Sequence, residues 1–221
     1  METIERFKSY SGIRLMDIEC DKPYIWNATN ATNVRVVMPS SNENMCAMIE
    51  KGFYPADRVL DVTINLSRSK LDFGKMIRTE PIIINNRRDE IFDIAKESFP
   101  FDRRFHLEVK YNNAVAEKVI RGWVDDLEEY YVCMHQDQCM GFLSLTKMED
   151  AAFVHLAAVR QKYRLSGAAL SLYAAAARDC KKLGINMLNG RISTLNTAVI
   201  NLYSFLGGNF SNPMDVFLKE M

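Results

Sequence analysis

Nowhere in its 221 residues does the sequence carry an apolar run near the roughly 18 to 20 that a spanning helix needs, so no membrane association is expected. It has no surplus of either charge. The 28 Lys and Arg match 28 Asp and Glu, and no basic tract marks a nucleic-acid surface. A local basic pocket for one anionic ligand is compatible with that balance. The five cysteines (Cys20, Cys46, Cys133, Cys139, Cys180) are odd in number and form no Cys-x-x-Cys pair. That argues against a disulfide framework and against a zinc site, and for reduced thiols in the cytoplasm. The opening "METIERFKSYSG" lacks the apolar stretch of a signal peptide, so the "NAT" sequons at Asn27 and Asn30 read as a polar loop. Neither the Gly-x-Gly-x-x-Gly of a dinucleotide fold nor the Gly-Lys-Ser/Thr of a P-loop occurs.

What is present is an ordinary globular composition, 48% hydrophobic and 25% charged, with elements that alternate in type. In the first eighty residues "NVRVVMP" and "DRVLDVTINL" alternate like strands, and "SNENMCAMIEKGF" between them has helical spacing with a Ser/Asn cap and a Gly stop. The polar stretch "SRSKLDFGKM" reads as a linker. Beyond it come a short strand in "EPIIINN", helices in "RRDEIFDIAKESF" and "NNAVAEKVIRGWVDDLEE", and a charged turn, "FDRRFH", between those helices. A hairpin follows ("YYVCMHQ", a turn at "DQ", "CMGFLSLTKM"), then "AAFVHLAAV", apolar enough to be a strand buried on both faces. An alanine-rich helix, the strand "NMLNGRIS", the helix "TAVINLYSFLG" and a last strand "MDVFLKE" complete the chain. The expectation is an α/β (α+β) mixed sheet, with a small N-terminal α/β unit over residues 1–78 and a second domain over 79–221.

Two stretches carry chemistry. After "AAV", the segment "RQKYRLSGAA" opens a helix, where free N–H groups and the positive end of the helix dipole suit a phosphate. Arg164, Gly167 and Ala169 fit Arg-x-x-Gly-x-(Gly/Ala), but many unrelated helix starts fit it too, so small residues for close helix–sheet packing is an equal reading. In "RISTLNTAVINLYSFLGGNF", Asn196 caps the next helix and Tyr203 falls two turns on, on roughly the same face. Each alone also reads as an ordinary cap or a core aromatic.

Together and in this order, the two resemble the GNAT superfamily of acyl-CoA-dependent N-acyltransferases over about Glu80 to Met221. "YRLSGAA" stands where that family usually has Tyr-Arg-Gly-x-Gly-x-Gly/Ala, and "NTAVINLYSFLGGNFS" matches its Asn…Leu-Tyr…Leu-Gly…Phe segment. Leu165 and Ala168 replace common glycines, and Arg160, Gln161 and Lys162 replace residues like His-Pro-Asp. Within the superfamily, "IEKGFYPADRVLDVTINL", "DRRFH" and "GWVDDLEEYYVCMHQDQCMGFLSL" resemble the N-acetyltransferases acting on TDP-fucosamine.

The resemblance implies direct transfer of an acetyl group from acetyl-CoA to a primary amine in a ternary complex, without a metal. It implies a small-molecule amine acceptor, among which a nucleotide-linked amino sugar. A protein N-terminus, a polyamine, an antibiotic, or a non-catalytic acyl-CoA-binding role stay open, as does a homodimer. Main chain at Ala157 and Val159 would meet the pantetheine and thioester, amides of Leu165, Ser166, Gly167, Ala168 and Ala169 with Arg164 the pyrophosphate, and Asn196 the pantetheine arm. Tyr203 is the expected general acid. For the base there is His155, with a packed strand residue as the equal alternative, His106 as runner-up, or water alone. Arg104 and His106 are expected on the acceptor side, and His135 at a solvated turn.

Overall fold

Among the described residues (3–10, 13–23, 30–99, 113–127 and 130–221 of a computed structural model), ten strands form one sheet and five helices pack on its faces. In chain order these are β1 (Ile4–Tyr10), β2 (Ile13–Glu19), β3 (Asn33–Pro39), α1 (Asn42–Glu50), β4 (Tyr54–Asn65), β5 (Ile82–Ile84), α2 (Arg88–Ser98) and α3 (Asn113–Asp125). There follow β6 (Tyr130–His135), β7 (Gln138–Lys147), β8 (Ala151–Val159), α4 (Ala168–Lys182), β9 (Met187–Ser193), α5 (Thr197–Phe205) and β10 (Asn209–Glu220). The sheet runs β1-β2-β3-β10-β4-β9-β8-β7-β6-β5. Its neighbours are antiparallel except β2–β3 and β8–β9. The mixed α/β architecture is the one expected. The charged turn holding Arg104 and His106 lies outside the described residues.

Each helix sits where its apolar stripe meets the sheet. On one face α4 and α5 share a core with Val62, Ile64 and Leu188, and farther along it α1 brings Met48 to Val36 and Met38. On the other face Ile91 and Ile94 of α2 and Val119, Ile120 and Val124 of α3 cover Val132, Phe142 and Leu156. In α4 the successive residues Ala174 to Ala177 are all 1% exposed or less. Four in a row exceed one helix face, so the helix must be covered on both sides. The sheet covers one side, and a one-turn 3-10 helix, Phe73–Met76, lies against the other with Phe73 buried.

That turn falls in the stretch expected to be a linker; Phe73 on α4 makes it a packed segment instead. β1 and β2 were not expected from the sequence. The hairpin turn falls on Gln136–Asp137, one residue earlier than expected, and Gln136 takes φ 54. β8 is covered on both faces as expected, but not by simple alternation, as shown below. The sheet is continuous across residue 78, because β4 pairs with both β9 and β10.

The join between β3, β4 and β10 rests on Asp215, only 2% exposed. Its carboxylate accepts from Arg58 Nε at 2.7 Å and from Ser40 Oγ at 2.8 Å. Arg58 is about half exposed and can return to water; the carboxylate cannot. Arg58→Ala, which strands a buried charge, is therefore expected to cost more than Asp215→Ala, about 3 against about 1–2 kcal/mol. Urea unfolding of the two variants checks this, and the reverse order would contradict it.

Candidate active site

The site begins with a defect in strand pairing. β8 and β9 pair in parallel from Ala151↔Met187 to Val154↔Gly190 and no farther, although both strands continue. On its other side β8 stays paired with β7, but the register jumps from Leu145↔Val154 to Ser144↔Leu156. His155 is the extra residue of that bulge. A bulge reverses which side chains face which way, and the cores record the reversal. Ala152 and Val154 face α4, whereas Leu156 and Ala158 face α2 and α3; Ala157 and Val159 then turn toward the α4 core. The result is a wedge-shaped gap between β8 and β9. Among the described residues, main-chain groups of β8 on the edge facing that gap have no strand partner; Ala157 and Val159 lie beside it, and Val159 O accepts from Ser98 Oγ at 3.4 Å.

At the narrow end of the wedge sits Tyr203. It is 1% exposed, and its ring meets that of Tyr173 edge-on at 5.1 Å. Its hydroxyl lies so close to Gly190 that a Cβ there would be 2.5 Å away, so only glycine fits opposite this phenol. Burial, then the neighbouring Tyr173 and its hydrogen bond, hold the Tyr203 pKa well above 10. Burial pushes Tyr173 up to about 12, with the hydrogen bond from Tyr203 partly offsetting it. Both phenols are protonated at neutral pH.

At the wide end lies the start of α4. Gly167 caps the helix with φ 85, a left-handed conformation that favours glycine. The amides of Ser166 and Ala168 are spent inside the loop, donating to Tyr163 O at 3.0 Å and Ser166 Oγ at 3.2 Å. Those of Leu165, Gly167 and Ala169 donate to nothing among the described residues. Leu165 is 99% exposed, and the Arg164 side chain is exposed beside it. Asn196 caps α5 by accepting from Val199 N at 3.2 Å, and its Nδ2 group donates to nothing among the described residues. Gln161 N donates to Glu97, and Arg160 pairs with the same carboxylate at 3.6 Å, which ties the loop to α2. Free amides, a left-handed glycine and an exposed arginine fit a phosphate-bearing cofactor.

The opposite face of the sheet holds a cavity of about 1000 Å³, walled by the wedge residues Phe153, His155 and Leu156, by Trp123 of α3, and by β1 to β3. His155 Nε2 lies 2.8 Å from Thr146 Oγ1, and its ring packs on Phe153 at 5.4 Å. The ring stays accessible to solvent, yet the cavity walls displace enough water to lower its pKa below 6.5, and the Lys8 charge adds to this. Ion pairs line the floor. Asp17 accepts from Arg35 at 2.7 and 2.9 Å. Arg191 donates to Asp61 at 2.7 Å and to Glu19 at 3.0 and 3.1 Å. Lys8 meets Asp126 at 3.1 Å.

Tyr203 thus reaches the wedge from the α4–α5 face and His155 from the cavity face. The sequence had no local signal for Tyr173, Gly190 or the charged floor, since each matters only through partners distant in the chain. His135, expected at a solvated turn, is exposed there and stacks near Tyr163 at 5.8 Å.

The structure thus sets a parallel pair that parts at a bulge beside a helix start suited to a phosphate. The sequence profile of the Acetyltransferase (GNAT) family matches residues 88–207, more than half of the chain, and the chain belongs to that family. Members use acetyl-CoA as acyl donor. No match was found among curated proteins. Among solved structures, a functionally unknown conserved protein from Staphylococcus epidermidis is similar with a TM-score of 0.64 and 12% identity, over 86% of this chain and 73% of that one. A GCN5-related N-acetyltransferase from Sphaerobacter thermophilus gives 0.58 and 14% over 85% of this chain and 59% of its own. A glucosamine N-acetyltransferase region in a fungal multi-domain GH3 β-N-acetylglucosaminidase gives 0.60 and 11%, over 98% of this chain and 31% of that one. At such identities the likeness is one of fold.

Two outcomes follow from the geometry. In an NMR titration His155 should turn over below 6.5, and Lys8→Gln should raise that midpoint only part of the way, because burial is the larger cause. A midpoint at or above 6.5 would contradict the assigned surroundings. Gly167→Val combines a strained φ with a Cβ only 2.8 Å from Arg78 Cδ. It should abolish the thermal stabilisation expected from acetyl-CoA with the unaltered chain; an undiminished shift means the loop holds no coenzyme.

Proposed function

We propose that the chain transfers an acetyl group from acetyl-CoA to a primary amine seated in the cavity, by direct attack in a ternary complex. The carrying observation is that β8 and β9 part between two features that lie on opposite faces of the sheet. The phosphate-suited loop lies toward one face, and the cavity with His155 lies on the other. When bound, acetyl-CoA supplies an acetyl carbonyl activated as a thioester.

The chain's own groups then divide the work. Main-chain groups of Ala157 and the Val159 amide, on the edge of β8 that β9 leaves, hold the pantetheine amides and polarise the thioester oxygen. Leu165, Gly167 and Ala169 donate to the diphosphate, assisted by Arg164, and Asn196 Nδ2 to the pantetheine arm. His155, neutral at pH 7 because its pKa is lowered, accepts a proton from the ammonium directly or through water. Tyr203 gives a proton to the departing sulfur. A phenol held above pKa 10 is a weaker acid than a thiol of about 8.5, so that step runs uphill unless the phenolate is stabilised. The Tyr173 hydroxyl, already hydrogen-bonded to Tyr203, can turn to donate to it.

A nucleotide-linked amino sugar is the acceptor that suits these walls. About 1000 Å³ exceeds what a small amine needs. Trp123 and Phe153 offer flat apolar surfaces for a sugar ring, and Arg6 offers a cation for a phosphate. The fungal neighbour's glucosamine activity is a precedent for an amino-sugar acceptor on this fold.

The test is acetyl transfer from acetyl-CoA to a panel of a nucleotide amino sugar, a free amino sugar, a polyamine and a peptide. Transfer to the polyamine or peptide alone would reject the sugar assignment, and transfer to none would reject the acceptor classes. In the productive reaction Tyr203→Phe should lower turnover about tenfold or more while acetyl-CoA still stabilises the protein. Tyr173→Phe should lower it less. Full turnover in Tyr203→Phe would remove the assigned acid.

A further inference from the structure

The start of α4 holds more positive charge than a helix start should. Helix N-termini favour acids, yet the first turn of α4 contains none. Arg164 is exposed beside it, and a second cation, Arg78, lies directly on it. The segment Ile77–Glu80 is fastened to α4 at several points. Arg78 N and Thr79 N donate to Ser171 Oγ at 3.0 and 3.2 Å, and the same buried hydroxyl donates to Gly167 O at 3.1 Å. Cys133 Sγ lies 3.7 Å from Thr79 O, and Glu80 pairs with Arg178 at 2.8 Å. With its main chain so fixed, the Arg78 side chain crosses the open face of Gly167. A Cβ on that glycine would stand 2.8 Å from Arg78 Cδ, 3.4 Å from Nε and 3.5 Å from Nη1. Arg78 is exposed and has no acidic partner among the described residues. Two guanidinium groups with no acidic partner among the described residues, at the positive end of a 15-residue helix, repel that end unless an anion completes the arrangement.

We propose that Arg78 is a second diphosphate-binding cation of the coenzyme site, gripping the anion across Gly167 beside Arg164. This rests on the reading that the α4 loop holds acetyl-CoA. Arg78 lies outside residues 88–207, so the coenzyme site reaches beyond the segment that matches the family profile. Ser171 acts as its positioning residue, since one hydroxyl holds both the Arg78 main chain and the carbonyl of Gly167. The diphosphate, and not the 3′-phosphate, is assigned because the Arg78 stem lies against Gly167, whose own amide donates to nothing among the described residues.

Calorimetric titration of the full chain with CoA and with 3′-dephospho-CoA tests this. Arg78→Gln is expected to weaken both ligands about tenfold, and Arg78→Lys to restore part of the loss. Lys75→Gln removes a charge from the same segment that is already tied to Asp72, and should change neither affinity. Unchanged affinity in Arg78→Gln overturns the proposal, as does an equal loss in Lys75→Gln. A loss confined to CoA assigns Arg78 to the 3′-phosphate and overturns the diphosphate contact. Unfolding midpoints of the unliganded variants equal to that of the parent exclude a folding defect. If the unaltered chain binds neither ligand, the coenzyme reading itself fails, a result distinct from any of these.

Discussion

The parting of β8 and β9 after Val154↔Gly190 is the constraint on which the rest depends. Two parallel strands normally stay paired, because unpaired main-chain groups are costly to bury. Here the bulge at His155 bends β8 away while its pairing with β7 continues. Gly190 lets Tyr203 take the space at the apex. Neither device suffices alone: without the bulge the strands would remain in register, and with a side chain at Gly190 the phenol could not approach. The wedge is thus an opening whose unpaired edge is available to a ligand rich in amides, and whose apex is lined by a protonated hydroxyl.

The N-terminal strands belong to this arrangement. β4 lies between β9 and β10, so it braces the strand that forms one wall of the wedge. β2 returns to the same strand through Glu19, whose carboxylate holds Arg191 one residue beyond Gly190. Burial works against the Arg191 charge, but hydrogen bonds to Asp61 and Glu19 outweigh it and raise its pKa. A paired guanidinium of this kind positions more than it stabilises, since the cost of desolvation cancels much of the attraction. Its effect is to fix where the cavity floor meets the wedge.

How much of this could be read from sequence depended on whether the signal was local. α2, α4, α5 and the β6–β7 hairpin show helical or alternating patterns within a dozen residues, and the loop at Gly167 and the cap at Asn196 lie in short recognisable segments. β1 and β2 escaped because their cavity-side positions are Ile4, Arg6, Lys8, Leu15, Asp17 and Glu19. A strand whose inner face is a charged cavity wall shows no apolar alternation. The bulge was invisible for another reason: "AAFVHLAAV" reads as one apolar run, and the extra residue exists only relative to β7. Phe73, polar in company, was hidden in the same way, since what buries it is a helix far along the chain.

The placement of charge argues that the segments flanking residues 88–207 are part of one working unit. The cavity floor pairs Lys8 of β1 with Asp126 after α3, Arg35 of β3 with Asp17 of β2, and Arg191 of β9 with Glu19 of β2 and Asp61 of β4, while the start of α4 meets Arg78 from the connection before β5. A helix start flanked by two arginines and a cavity whose acids are engaged by Arg35, Arg191 and Lys8 both favour anionic ligands, on opposite faces of one sheet. Two anions approaching a common point repel each other through any low-dielectric wall. In the proposed reaction the wedge would separate them by the thickness of the sheet and let only the reacting ends, thioester and ammonium, meet at Tyr203 and His155. On that view the small residues of α4 serve two ends: they let the helix lie close to the sheet, and so bring its positive end near enough to the wedge to anchor a long flexible ligand.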